Sequence, residues 1–276
     1  MLSNLITRSI TGVIFVVVLV GSILWSPYSF IGVFALLTGF LLTEFYQLMN
    51  RHQGVKINIL INTAGGTGLF LMTALYNLGI ADQRIFLAYL AYLLYMFISE
   101  LYRKKPDPIK GWAYSVLGQA YIALPFSLLP LIGFSDFDGI PVYTPIPLLA
   151  LFVFIWMNDT GAYLVGSRIG KRRLFERISP KKSWEGFYGG IAFSLIAGFL
   201  FSLFSHEMNA IQWMAMALIV SVFSTWGDLS ESLMKRTIGV KDSGNMLPGH
   251  GGFLDRFDSV LLACPAVVIY LELLNW

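Results

Sequence analysis

Residues 9–43 run without a single charged side chain, and that stretch decides which solvent the chain folds in. At ~1.5 Å per residue, a helix of this length overshoots the ~30 Å hydrocarbon core of a bilayer. It must therefore turn once, and Ser26-Pro27-Tyr28-Ser29 supplies the turn. The result is two spans, near 9–25 and 29–49. Counting about 20 apolar residues per crossing, further spans fall near 57–77, 84–102, 111–133, 146–168, 186–205, 210–234 and 256–274. The expected fold is all-α, a polytopic membrane helix bundle of about nine transmembrane helices. Only 13% of the residues are charged, against ~25% in an ordinary soluble domain.

The positions of those charges set an orientation. Arg51 and Lys56 follow the second span, and Arg103, Lys104, Lys105 and Lys110 follow the fourth. Arg168, Lys171, Arg172, Arg173, Arg177, Lys181 and Lys182 follow the sixth, and Lys235, Arg236, Lys241 and Arg256 follow the eighth. Only Arg8 and Arg84 of the 19 Lys and Arg residues lie outside these groups. All four groups fall after even-numbered spans, so the positive-inside rule makes their side cytoplasmic and puts the N-terminus outside. No small-residue cleavage site follows the first apolar run, which is expected to be a retained span. The net charge of +3 gives no case for nucleic acid, and the lone Cys264 sits in an apolar run as an inert buried thiol. No internal repeat divides the chain. Residues 1–110 carry few polar groups and are expected to be scaffold, whereas 111–276 form a transmembrane region holding the chemistry.

That chemistry gathers in three strings. In Ser224–Ser232, Asp228 and Glu231 share a helix face, with Lys235 one turn on from Glu231. Asp228 interrupts an apolar run, where an acid is costly unless partnered or functional. Downstream, Pro248-Gly249-His250-Gly251-Gly252 makes a tight turn that lets backbone approach a ligand. Asp255 and Asp258 follow on one face at a helix start, where capping accounts for one aspartate more readily than for two. Asp228 and Asp255, with Asp258 near, supply hard oxygen ligands suited to Mg²⁺. Lys235, Arg236, Lys241 and Arg256 surround them with the cations that phosphate chemistry needs. The second string is Asn158-Asp159-Thr160-Gly161-Ala162-Tyr163 in the sixth span. The third is Ser179-Pro180-Lys181-Lys182-Ser183-Trp184-Glu185-Gly186, in which Ser179 as N-cap and Pro180 as first helical residue predict a helix start poised for anions. Glu44 and Glu100 are expected to be interfacial or structural.

The run S-L-M-K-R-T-I-G-V-K-D-S-G-N-M-L-P-G-H-G-G-F-L-D-R-F-D, Ser232 to Asp258, closely resembles the signature of the phosphatidate cytidylyltransferase (CDP-diacylglycerol synthase) family. Every fixed position of that pattern is matched, and the N-D-T-G-A-Y and S-P-K-K-S-W-E-G strings resemble further family blocks. The resemblance implies a Mg²⁺-dependent nucleotidyltransferase of phospholipid biosynthesis that turns CTP and phosphatidic acid into CDP-diacylglycerol and pyrophosphate. By carry-over, Asp228 and Asp255 are the expected metal ligands, with room for a second cation. Lys235, Arg236, Lys241, Asp242, His250, Arg256 and Asp258 are expected to join them in catalysis. Asn158, Asp159, Lys181, Lys182, Ser232, Gly251 and Gly252 are expected to bind substrate. The implied setting is the bacterial cytoplasmic (inner) membrane, with the site facing the cytoplasm and the lipid bilayer as a partner; a homodimer is compatible with the sequence. A transporter fits less well, since the charges gather at one face without a repeat. The D-G-x-x-A-R block of CDP-alcohol phosphotransferases is absent.

Overall fold

A computed structural model describes residues 2–104, 107–137, 139–244 and 251–274, with side chains from Ile10 onward. The chain is nearly all helical. Helices α1 (Leu2–Trp25) and α2 (Pro27–His52) are separated by the expected serine-proline turn. Ser26 caps α2: its hydroxyl accepts the Ser29 N–H at 3.1 Å, while the Ser29 hydroxyl accepts the Ser26 N–H at 3.0 Å. Next come α3 (Ile59–Asn77), α4 (Phe86–Tyr102) and α5 (Pro108–Gly118). A π turn at Gln119–Ala123 leads into the short helices α6 (Leu124–Ser127) and α7 (Leu129–Gly133). Strands β1 (Phe134–Phe137) and β2 (Ile140–Tyr143) form an antiparallel hairpin with Phe134 opposite Tyr143. Helix α8 (Pro145–Ile169) is followed by a second hairpin, β3 (Arg173–Phe175) and β4 (Ser179–Ser183). Helices α9 (Trp184–Phe204), α10 (Ala210–Thr237) and α11 (Leu254–Leu273) complete the chain.

Among the described residues, seven helical segments are long and apolar enough to cross a membrane. The remaining two expected spans are also helical. The described part of α1 is a shorter apolar run, Ile10–Trp25, and α11 carries Asp255, Arg256, Asp258 and Glu272 with Pro265 inside it. The protein is an integral membrane protein, and its exterior shows why. Along α4, Leu87, Leu90, Leu94, Ile98 and Leu101 are all exposed at three- and four-residue spacing, an outward stripe that water would not tolerate and lipid does.

The chain packs as two compact units: Met1–Tyr143 with Asp242–Arg256, and Thr144–Lys241 with Phe257–Trp276. The packing boundary at Tyr143 lies beyond residue 110, where the sequence was divided, because α5 and the π turn are hydrogen-bonded into α2 and α3. Tyr46 donates to the Ser115 carbonyl at 3.0 Å. The Gln119 amide donates to Tyr46 Oη and to the Asn62 carbonyl, both at 2.8 Å. Tyr89 donates to Gln119 Oε1 at 3.2 Å and Tyr92 to Asn62 Oδ1 at 2.8 Å. Replacing Gln119 with Leu strips partners from Tyr46, Asn62 and Tyr89 together. It should cost about 1–3 kcal/mol, more than the ~0.6 kcal/mol of a single interhelical bond in a membrane. A lowered thermal midpoint in detergent would show it; an unchanged one would mean that the network is dispensable.

The second unit is a helix cluster built on close backbone approaches. A Cβ at Gly161 of α8 would lie 2.6 Å from the Gly189 carbonyl oxygen of α9, and one at Gly190 would lie 2.3 Å from Asn158 Oδ1. A Cβ at Gly227 of α10 would lie 2.5 Å from the Asp258 carbonyl oxygen of α11. Small residues at these crossings let the helices touch along their backbones. Behind them Phe154, Phe201 and Trp213 pack edge-on and tilted at centroid separations of 5.3–6.3 Å.

Candidate active site

In the second unit, α8, α9, α10 and the β3–β4 hairpin enclose a cavity of about 560 Å³. Its polar lining includes Asn158, Asp159, Arg173, Lys181, Lys182 and Asp228; Ala162, Tyr163, Leu174 and Phe187 supply apolar wall. The Lys182 ammonium meets the Asp228 carboxylate at 2.5 Å, with the two side chains 28% and 32% exposed. This pair joins residues that the sequence places on separate strings, one on β4 and one within α10. Ser232 donates to Asp228 Oδ1 at 3.2 Å from one turn further along α10, so its hydroxyl orients that carboxylate. Glu231, fully buried, pairs with Lys235 at 2.5 Å. Lys235 is itself nearly buried, so its charge is set against a buried acid. The Asp258 carboxyl lies within electrostatic reach of Asp228, Glu231 and Asp159.

Helix α10 has 28 residues, a length of ~42 Å against ~30 Å of hydrocarbon. Its apolar residues begin directly after the Asn209 cap. A crossing of about 20 residues from Ala210 therefore ends beside Asp228. By helix length alone, the aspartate is expected near the edge of the hydrocarbon and not at its centre.

The helix start predicted at Ser179-Pro180 is corrected by the structure. Ser179–Ser183 is strand β4, paired with β3, and helix α9 begins at Trp184. Ser183 is the cap, its hydroxyl accepting the Gly186 N–H at 3.1 Å. Pro180 is tolerated because a two-stranded ribbon leaves one edge of every strand unpaired. In the first turn of α9, Glu185 accepts the backbone N–H groups of Lys171 and Arg172 at 3.1–3.2 Å. Lys181 and Lys182 thus reach the cavity from a strand. The same hairpin brings in Arg173, which sequence reasoning had counted only as part of a basic loop. Phe175 packs edge-on against Trp226 at 5.6 Å, fastening the hairpin to α10.

Asn158 lines the cavity, yet its amide is engaged behind it. The amide donates to Ser224 and Thr225 at 3.2 and 3.4 Å and accepts from Ser221 at 2.5 Å. Arg236 and Lys241 are exposed near the end of α10, where Arg236 donates to the Val240 carbonyl at 3.4 Å.

Asp242, Ser243, Gly251, Gly252, Asp255 and Arg256 belong to the first unit; His250 lies outside the described residues. Asp255 Oδ2 accepts the Ser243 and Gly252 N–H groups at 3.0 Å and lies 3.0 Å from the Ser243 hydroxyl. Gly251 takes a φ of +80° in this turn, a conformation that suits glycine. Arg256 is exposed on the first turn of α11. Asp242 borders a separate cavity of about 380 Å³ with Arg51 and His52.

The two expected metal ligands fall in different units, Asp228 in the second and Asp255 in the first. Among the described residues, no three of His, Cys, Asp and Glu are grouped to hold a metal ion. Magnesium asks for less, since one or two carboxylates commonly bind it together with water and substrate phosphates. Asp228, on the cavity wall, fits an ion carried in by a nucleotide, not one caged by protein.

A cavity with apolar walls and paired charges in a polytopic bundle suits a membrane enzyme that handles anionic groups. The sequence comparisons specify the class further: the chain belongs to the cytidylyltransferase family, matched over residues 6–274. It is 37% identical to the phosphatidate cytidylyltransferase of Bacillus subtilis over 210 residues, covering 75% of this chain and 76% of that one. It is 32% identical to the Haemophilus influenzae phosphatidate cytidylyltransferase over 275 residues, covering 92% and 93%. Against the phosphatidate cytidylyltransferase of Staphylococcus aureus (strain COL), identity is 48% over 126 residues, 45% of this chain and 48% of the relative.

Proposed function

We propose that this enzyme transfers the cytidylyl group of CTP to phosphatidic acid, releasing pyrophosphate and forming CDP-diacylglycerol. The observation that carries the reading is family membership across almost the whole chain; the charged, apolar-walled cavity agrees with it chemically. An ionised oxygen of the lipid phosphate attacks the α-phosphorus of CTP, a new P–O bond forms, and the bond to the β-phosphate oxygen breaks. That nucleophile is already charged near neutral pH, so no strong base is needed. The barrier lies in bringing anions together and stabilising the departing pyrophosphate. Arg173, Lys181 and Lys182 bind phosphate at the cavity. Asp228, with Asp258 beside it, would hold a magnesium ion, which would neutralise charge building on the leaving group. Tyr163, Leu174 and Phe187 offer apolar surface to the lipid. The chain resides in the bacterial inner membrane with the basic loops, including β3–β4, in the cytoplasm, where CTP is available.

Purified protein given labelled CTP and phosphatidic acid in mixed micelles should form a liponucleotide and pyrophosphate in equal amounts. Chelation with EDTA should stop the reaction, and Mg²⁺ should restore it. Absence of a CTP-derived liponucleotide would overturn the reading. Product formation undiminished in EDTA would remove magnesium from it.

A further inference from the structure

Glu44 was expected to be merely interfacial or structural, and its surroundings assign it more. It lies in the C-terminal half of α2 and is 3% exposed. Its carboxylate reaches across the sequence to the signature segment. Oε2 accepts the Phe253 N–H at 2.9 Å; Oε1 accepts the Leu254 N–H at 3.1 Å and the Ser243 hydroxyl. Phe40, one turn earlier on α2, stacks on Phe253 at 5.1 Å. The first N–H groups of a helix have no partner within it and need a cap. Here the cap for α11 is a carboxylate from another helix, and the negative charge suits the N-terminal end of the helix dipole.

The Ser243 hydroxyl also lies 3.0 Å from Asp255 Oδ2. A hydroxyl has one proton to give, so Glu44 and Asp255 compete for it and their positions are linked. Two glycines of the segment accommodate the carboxylate. A Cβ at Gly252 would come within 2.0 Å of Glu44 Oε1, and one at Gly244 within 2.9 Å of its Cδ. Ser243, Gly244, Gly252, Phe253 and Leu254 thus all lie against Glu44.

We infer that Glu44 is a positioning residue for the reaction, fixing the backbone at Phe253 and Leu254 and the orientation of Asp255 through Ser243. The inference rests on the proposed cytidylyltransferase activity and on the part in it that the signature resemblance implies for Asp255. Glu44→Gln keeps the shape but replaces one acceptor oxygen with a donor amide, which opposes either an N–H or the Ser243 hydroxyl. Small displacements of catalytic groups cost about 100-fold in rate, so kcat should fall by that order. KM for CTP and for phosphatidic acid should stay within about threefold, and the detergent-solubilised protein should remain monodisperse and folded. Glu44→Asp, which restores the charge, should recover part of kcat. The Phe253 and Leu254 amides should exchange faster with deuterium in Glu44→Gln. A scaffold role alone would lower yield and thermal midpoint while each folded molecule kept its full kcat, and that result would overturn the inference. Should Glu44→Gln fail to fold, Ser243→Ala becomes the deciding variant. A reduced kcat with intact KM values would support the linkage; full activity would overturn it. A wild-type protein without liponucleotide synthesis would instead overturn the activity on which the inference rests.

Discussion

Asp228→Asn should leave a folded protein whose turnover is lowered about 100- to 1000-fold, the scale of losing a preorganised electrostatic contact to the reacting phosphates. The substitution is nearly isosteric and removes only the charge. The Ser232 hydroxyl can still donate to the amide oxygen, but the 2.5 Å ion pair with Lys182 loses its anion. Because both side chains are about one-third exposed, water can solvate the released ammonium, so the effect on stability should be small. Activity and stability therefore separate at this position. Steady-state kinetics beside a thermal melt would test it. Retention of more than a tenth of wild-type kcat would remove Asp228 from the reaction.

Gly227→Val should have the opposite character, losing activity because the second unit no longer assembles. The added side chain would start 2.5 Å from a backbone oxygen of α11 and 3.1 Å from the Ser259 Cα. Neither backbone atom can swing aside as a flexible side chain could. Overpacking costs typically about 1–3 kcal/mol and more where backbone must move, a large share of the roughly 5–15 kcal/mol that holds a typical domain together. Size-exclusion profiles of detergent extracts should show aggregation or loss of the monodisperse peak. Full yield with full activity would mean that α10 and α11 can separate without consequence. Together the two variants distinguish what Asp228 does from what the residue before it makes possible.

Much of this architecture was legible because lipid imposes a simple demand. A charge-free run such as residues 9–43 can only be spanning helix, and Ser26-Pro27 can only break it. The acid–base spacing of Glu231 and Lys235 likewise places a pair on one helix face, and the structure contains that pair. Ser179-Pro180 misled for an identifiable reason. Its capping preference is local, whereas the β3–β4 ladder and the Ser183 cap are set by what lies on either side. Arg173 was hidden by the same hairpin, since nothing in a run of basic residues says which one turns inward. Glu44 was beyond reach altogether: its partners lie 199 to 210 residues away, and a single acid near a helix end carries no mark of them. The signature drew attention to its own residues and not to the distant carboxylate that holds them.

The overshoot of α10 past the hydrocarbon bears on how a substrate reaches Asp228. A phosphate group already rests at the headgroup level of its leaflet, the level at which the length of α10 would set the aspartate. On the proposed reading, the lipid neither drags its charge into oil nor lifts its acyl chains into water. It arrives by sliding within the plane of the leaflet, and the product departs the same way. The enzyme's encounter with its lipid then becomes a two-dimensional search, governed by the surface density of phosphatidic acid in the membrane and not by its concentration in the cell volume.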